Sequence, residues 1–279
     1  MNKEKFIELF SQSFIERRFS LVPDPYADSG LYEDYGKCKK TTVVVSPGEM
    51  LFIPAGWFHY VISEEVNDTN LNMAISYFTR YDGCVDCDLD KNQKFKDLEE
   101  ISINNLVYSN YKKLSQPFVV RDYFNHNKRF NLLDMSNDKL KKMYPEKVLV
   151  TKSKSSLFVS NYITKHFPDC CEEQEMMFDD FIKSNNKSYY LIQNEKKITE
   201  IPYFLESEEY VNFSSWINFG DVYSSLHYDI HNNVLMPIFG KKKVILIPPS
   251  EHKSLHLINP LDTTLLCTMN KYISRFLLV

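Results

Sequence analysis

Two strand-rich blocks lie far apart in this chain, and each holds about half the strands that a closed β-sandwich needs. In the first, residues 41–46 read as a strand, Pro47-Gly48 as a turn and residues 50–53 as the next strand. After Pro54-Ala55-Gly56, residues 58–63 and 71–78 supply two more, with Asn67-Asp68 as the bend between them. The second block reads as strands over residues 210–217, 223–228, 234–239 and 243–247. A double-stranded β-helix, or jelly roll, needs eight strands in two sheets. Neither block alone can bury its inward face or close its edges. The blocks are therefore predicted to meet, residues 40–80 with residues 205–250, in one eight-stranded roll with interleaved strands. They can do so within one chain as a circular permutation, or between chains as a swapped homodimer. The expected class is mainly β with flanking helices (α+β).

The flanks carry weaker signals. Phe6, Leu9, Phe10 and Phe14 recur at helical spacing, so residues 3–18 read as an amphipathic helix ended by Pro23-Asp24-Pro25. Residues 82–97 are polar and acidic, a linker or exposed loop. Residues 98–112 are expected to be helical and 118–121 to form a short strand. Asn137-Asp138 can cap a helix running to Met143, and residues 172–184 read as an acid-capped helix. Residues 188–193 read as a strand, and Ser250 as the cap of a short helix holding His252 and His256.

Composition excludes several functions. The chain has 279 residues, 43% hydrophobic and 25% charged, with a net charge of −4 and only seven glycines. That balance gives no electrostatic case for nucleic-acid binding and no Gly-rich phosphate loop. The clusters Lys139 to Lys147 and Lys241 to Lys243 read as solvated faces. No apolar stretch approaches the ~20 residues of a membrane span, and the N-terminus does not read as a secretory signal. Six cysteines without a signal read as reduced thiols of an intracellular protein, cytoplasmic or nuclear. Cys84-x-x-Cys87 has no second CxxC to complete a zinc site, and Cys170-Cys171 reads as incidental.

The two blocks also divide a set of metal ligands. The second carries His227-Tyr228-Asp229, whose side chains at strand alternation reach one side together. The first carries His59 at the end of Pro47-Gly48-Glu49…Pro54-Ala55-Gly56-Trp57-Phe58-His59, 168 residues before His227. Two histidines and one carboxylate form the set that holds non-haem Fe(II) and leaves positions open. Alternation turns Lys242 inward and its neighbours Lys241 and Lys243 outward. His231 shares the parity of His227 and Asp229 and reads as a supporting or surface residue. His252 and His256, four apart, lack the glutamate of a zinc helix and read as an exposed helix face.

Both phrases resemble the JmjC/cupin-like (cupin-8 type) family of 2-oxoglutarate-dependent oxygenases. The stretch from Gly48 to His59 resembles the segment that carries the family's distal iron histidine. Ser224 through Pro249, with His227, Asp229, Asn233, Gly240 and Lys242, resembles its HxD segment and the following strand, and residues from Leu114-Ser115-Gln116-Pro117 to Trp216 resemble the family's front part. In family members the HxD comes first. Here residues 1–85 resemble the back half of the domain, 86–108 a linker and 109–279 the front half.

The resemblance implies Fe(II) on His227, Asp229 and His59. It implies 2-oxoglutarate with its distal carboxylate on Lys242, in a pocket completed by Ser224, Asn233, Tyr223 and Ser76. It implies hydroxylation of a protein side chain, or demethylation by hydroxylation, with succinate and CO₂ as co-products. The rival expectations are a jelly roll that binds without catalysing, and a slice of a tandem array that holds the back of one domain and the front of the next.

Overall fold

A computed structural model describes residues 18–22, 26, 32–64, 71–79, 98–102, 104–105, 115–123, 140, 144, 147–154, 157–158, 171–194 and 210–258. The strands are β1 (Thr41–Val45), β2 (Met50–Ile53), β3 (Phe58–Glu64), β4 (Leu71–Thr79), β5 (Glu99–Glu100), β6 (Phe118–Val120), β7 (Lys147–Ser153) and β8 (Leu157–Phe158). They continue with β9 (Cys171–Met177), β10 (Tyr189–Asn194), β11 (Tyr210–Phe219), β12 (Val222–Ser224), β13 (His227–Tyr228), β14 (Asn232–Phe239) and β15 (Lys241–Ile247). Two short helices, α1 (Glu33–Lys37) and α2 (Phe178–Ser184), and a 3₁₀ turn at Pro249–Ser254 complete the described elements.

The strands form two sheets. One runs β1-β15-β3-β12-β8, with β13 also on β3; the other runs β5-β6-β2-β14-β4-β11-β10-β7-β9. Four neighbours in each sheet alternate strictly between the two sequence blocks: β1, β15, β3 and β12/β13 in the first, β2, β14, β4 and β11 in the second. Each of these pairings is antiparallel. Within this eight-stranded roll no two strands of the same block are paired. The predicted interleaving is thus the observed one, and a single chain supplies all eight strands.

Alternation on each strand sorts side chains into layers. On β3, Phe58 and Tyr60 face an outer cluster with Tyr228, Ile245, Ile247 and Leu255. His59 and Ser63, of the opposite parity, are buried toward the other sheet. On β2, Leu51 and Ile53 meet Val43, Val45, Trp57, Val244 and Leu246 between the sheets, while Met50 and Phe52 join the core on the far face of the large sheet. One part of the inter-sheet space is thus filled by apolar side chains. The rest is where the polar ones gather, beside further apolar side chains.

The turn from β14 into β15 depends on Gly240, whose φ of +66° lies in the left-handed region. A Cβ there would stand 2.4 Å from Asn72 Nδ2. That amide donates to the carbonyls of Glu64 (3.2 Å) and Lys241 (2.9 Å), tying β3 and β4 to the start of β15. Gly240→Ala should lower stability by about 2–3 kcal/mol, from left-handed strain plus a displaced buried amide. The midpoint of chemical denaturation measures it, and an unchanged midpoint would show that the turn relaxes freely.

Several expectations fail. The helix expected over residues 172–184 covers only α2; Cys171–Met177 is a strand paired along its whole length with β7. Its exposed glutamates suit an edge strand, with Glu172 reaching Lys152 at 3.0 Å, and cross-strand pairing overrides helical propensity. Glu99 and Glu100, expected in a helix, form β5 alongside β6. The strand expected over residues 223–228 breaks at Ser225-Leu226, where Ser225 N donates to Phe158 O and Leu226 O accepts from Ser20 N instead of joining β3. The turn after β15 is 3₁₀, has Pro248 as its N-cap with no side-chain cap from Ser250, and ends before His256. The strands β7 and β8 and the helix α1 were not foreseen. The expected helices at 3–18 and 137–143, the bend at Asn67-Asp68, the linker at 82–97, Cys84, Cys87 and Cys170 lie, apart from Arg18 and the helical Leu140, outside the described residues.

Candidate metal centre

The register of the two sheets brings the divided ligand set together. β13 and β3 are antiparallel, and His227 is the direct cross-strand partner of His59. Their rings lie 4.4 Å apart between centroids. Asp229, just past β13, places Oδ2 3.7 Å from His59 Nε2. One ligand atom from each of His59, His227 and Asp229 lies within 4.8 Å of the others, the one such trio among the described residues.

Both imidazoles are oriented by backbone. His59 Nδ1 lies 3.0 Å from Trp57 O and His227 Nδ1 lies 2.7 Å from Ser225 O. Each Nδ1 is therefore the protonated nitrogen, and each Nε2 keeps its lone pair, the tautomer that ligating histidines adopt. The break between β12 and β13 has a use here, since it presents the Ser225 carbonyl to His227. Burial, and then the neighbouring His59, hold the His227 pKa well below its ordinary value despite Asp229. His227 is thus neutral at neutral pH, as a metal ligand must be. Asn233 Nδ2 donates to Asp229 Oδ2 at 3.2 Å and steadies the carboxylate.

Adjacent ligands on an ion with bonds of ~2.1 Å lie about 3 Å apart, so the 3.7 Å pair must close by less than 1 Å. Two Nε2 lone pairs, each on a ring whose Nδ1 is held by a backbone carbonyl, and a carboxylate steadied by Asn233 fit a divalent transition metal.

The trio opens into a cavity of about 480 Å³, counting the part open to solvent. Its polar wall holds Ser76, Ser224, Asn233 and Lys242 beside the trio; its apolar wall includes Ile53, Phe78, Tyr190, Trp216 and Leu235. Lys242 is completely buried. Its ammonium donates to Ser63 Oγ at 2.7 Å, across the Lys242–Ser63 register of β15 and β3. Among the described residues no carboxylate pairs with it, and burial pulls its pKa down to about 7. Lys241 and Lys243 are half-buried on the opposite face, as alternation predicts.

The other candidates fall as follows. Ser224 Oγ accepts from Val61 N at 3.0 Å, bracing β12 on β3 at the cavity wall. Ser76 is buried on β4. Tyr223 is not part of the cavity wall; its backbone pairs with Ile62 and Leu157. His231 lies outside the trio and half-buried, with burial lowering its pKa. His256 has a positive φ beyond the 3₁₀ turn and packs edge-on against Tyr32. Cys38 carries a buried thiol whose Sγ donates to Asp34 O at 3.5 Å, and Cys171 is half-buried.

The sequence reading missed four residues at or beside the site: Ser63, Tyr190, Trp216 and Phe19. Ser63 shares the parity of His59 on β3, a signal that was available. Phe19 stacks on His227 at 5.4 Å, held by the bridge Phe19↔His227. Nothing local in the sequence indicates that contact.

The chain matches the family described as "Cupin-like domain" over residues 8–82 and 104–272. It is 40% identical over 57 residues to the "Lysine-specific demethylase JMJ31" of Arabidopsis thaliana, which is 20% of this chain and 10% of that protein. It is 24% identical over 245 residues to a protein of Acanthamoeba polyphaga mimivirus named as JmjC domain-containing protein L887, 82% of this chain and 37% of that one. The chain therefore spans well under half the length of either relative. No solved structure matches it.

Proposed function

The chain belongs to the cupin-like domain family, and from that membership we propose that it is an Fe(II)- and 2-oxoglutarate-dependent oxygenase acting on a protein side chain. The observation that carries the reading is the cavity itself. A His/His/Asp trio stands on the same wall system as a fully buried lysine for which the described residues offer no anion. Burying an ammonium unpaired is costly; a carboxylate ligand offsets that cost.

In this reading His59 Nε2, His227 Nε2 and one Asp229 oxygen hold the metal. The ion, when bound, supplies the redox chemistry that couples oxidative decarboxylation of the 2-oxo acid to hydroxylation of a C–H bond. The protein's share is positional. Trp57 and Ser225 carbonyls fix the two rings, and Asn233 fixes Asp229. Ser63 aims the Lys242 ammonium, which keeps its proton when a carboxylate arrives and makes a charge-assisted hydrogen bond to it. Ser76 and Ser224 add hydroxyls, and the apolar wall limits water. Support for a protein substrate comes from the relative named as a lysine-specific demethylase; hydroxylation of a methyl carbon on nitrogen would give demethylation.

Purified protein loaded anaerobically with Fe(II) should bind 2-oxoglutarate and, on admission of O₂, form succinate slowly without a prime substrate. Binding of neither metal nor 2-oxoglutarate would leave the jelly roll as a non-catalytic binding domain.

A further inference from the structure

Trp216 Nε1 is a buried donor with no hydrogen-bond partner, and Trp216 lines the cavity shared by the trio and Lys242. An indole N–H has no second role to fall back on; it only donates. Left unpaired in the interior it costs the full desolvation of the group, so its placement calls for an acceptor.

The surroundings restrict what that acceptor is. The indole sits on β11 in the large sheet, and Lys242 lines the same cavity from β15 of the other sheet. Tyr190 packs edge-on to the indole at 6.5 Å and is itself stacked on Phe158 at 4.1 Å, so aromatic contacts hold the ring. The cavity thus offers two donors without protein acceptors for their spare protons: the Lys242 ammonium, with one bond to Ser63, and the Trp216 N–H. One group that takes two donors from two sides is a carboxylate, with about four acceptor positions on two oxygens.

We infer that Trp216 is a binding residue for the distal carboxylate of the 2-oxo dicarboxylate, its Nε1–H donating to one oxygen while Lys242 holds the other. This rests on the function proposed above and adds a residue to it. It also assigns ligand length: the acid must span from the trio to the Lys242–Trp216 pair, so the site discriminates against 2-oxo acids that lack a second carboxylate.

Trp216→Phe keeps an aromatic ring and removes the donor. Binding of two ligands is measured by calorimetry on the Mn(II)-loaded full chain: 2-oxoglutarate, and 2-oxovalerate, which has a methyl in place of the distal carboxylate. The variant should bind 2-oxoglutarate about tenfold or more weakly, the size of a hydrogen bond to a charged group, and bind 2-oxovalerate as the parent does. The parent's indole fluorescence should change on adding 2-oxoglutarate, and much of that change should vanish in the variant. Equal weakening for both ligands would make Trp216 a packing wall and overturn the inference, as would unchanged 2-oxoglutarate binding. If Phe proves unstable, Trp216→His, which retains a ring N–H, and Trp216→Leu, which does not, give the same comparison. Failure of the parent to bind 2-oxoglutarate at all would instead remove the proposed function.

Discussion

Asp229→Ala should abolish metal retention while leaving the fold intact. The purified variant, read by elemental analysis after Fe(II) loading and desalting, should hold essentially no iron. Removing a residue that merely supports a ligand typically costs ~10–100-fold in metal affinity, so removing a ligand from a set of three should cost more than ~100-fold. The fold survives because the Asp229 side chain makes one described hydrogen bond, from Asn233 Nδ2. Its structural contribution, accepting from Gly56 N at 2.9 Å, comes from the backbone carbonyl, which alanine keeps. A melting temperature within a few degrees of the parent checks this. Stoichiometric iron in the variant would mean that the ligand set is wrong.

Lys242→Met should do two opposite things. Methionine keeps the apolar stem and removes the charge, so 2-oxoglutarate binding should weaken by ~2–4 kcal/mol, the penalty for breaking a buried charged pair. The ligand-free fold, however, should become more stable. Burial holds the Lys242 pKa near 7, against ~10.5 for a lysine in the unfolded chain. Between those values the unfolded chain carries a proton that the fold does not, so parent stability rises with pH from about 7 to about 10.5. Below pH 7 the cost of the buried ammonium is present in full. The variant should therefore be more stable than the parent at pH 6, by on the order of a few kcal/mol, and should lack Lys242's share of the rise. Urea unfolding at pH 6 and 9 separates the two. Lys241→Met and Lys243→Met, on the outward face, should be nearly silent in both measurements. Equal effects from all three would reduce the run to a diffuse positive patch.

How far these residues could be read from the chain follows from what alternation does and does not encode. His59, His227 and Asp229 were legible because each sits in a phrase of matched positions. Lys242 was legible because period-2 alternation assigns the middle of three lysines inward. The interleaving was legible because two half-sets of strands had only each other to pair with. The rest depended on partners distant in sequence. Cys171–Met177 is acidic and helix-like taken alone, and β7 makes it a strand. The break at Ser225-Leu226 arises from bonds to Phe158 and Ser20, which no local pattern announces. Trp216 was unremarkable in its strand until the opposing sheet placed a lysine in the same cavity.

The strict alternation of blocks also sets a timetable for synthesis. During translation β1 to β4 leave the ribosome with none of their roll partners made, because each pairs across to a strand beyond residue 210. At ~5–20 residues per second, the 168 residues from His59 to His227 take on the order of 10–30 s to add. For that interval four apolar strands lack every roll partner, and of them β2 alone gains a neighbour early, β6 on one edge. Edges in that condition recruit other chains, so the nascent first block is the stage at which a chaperone would be most needed.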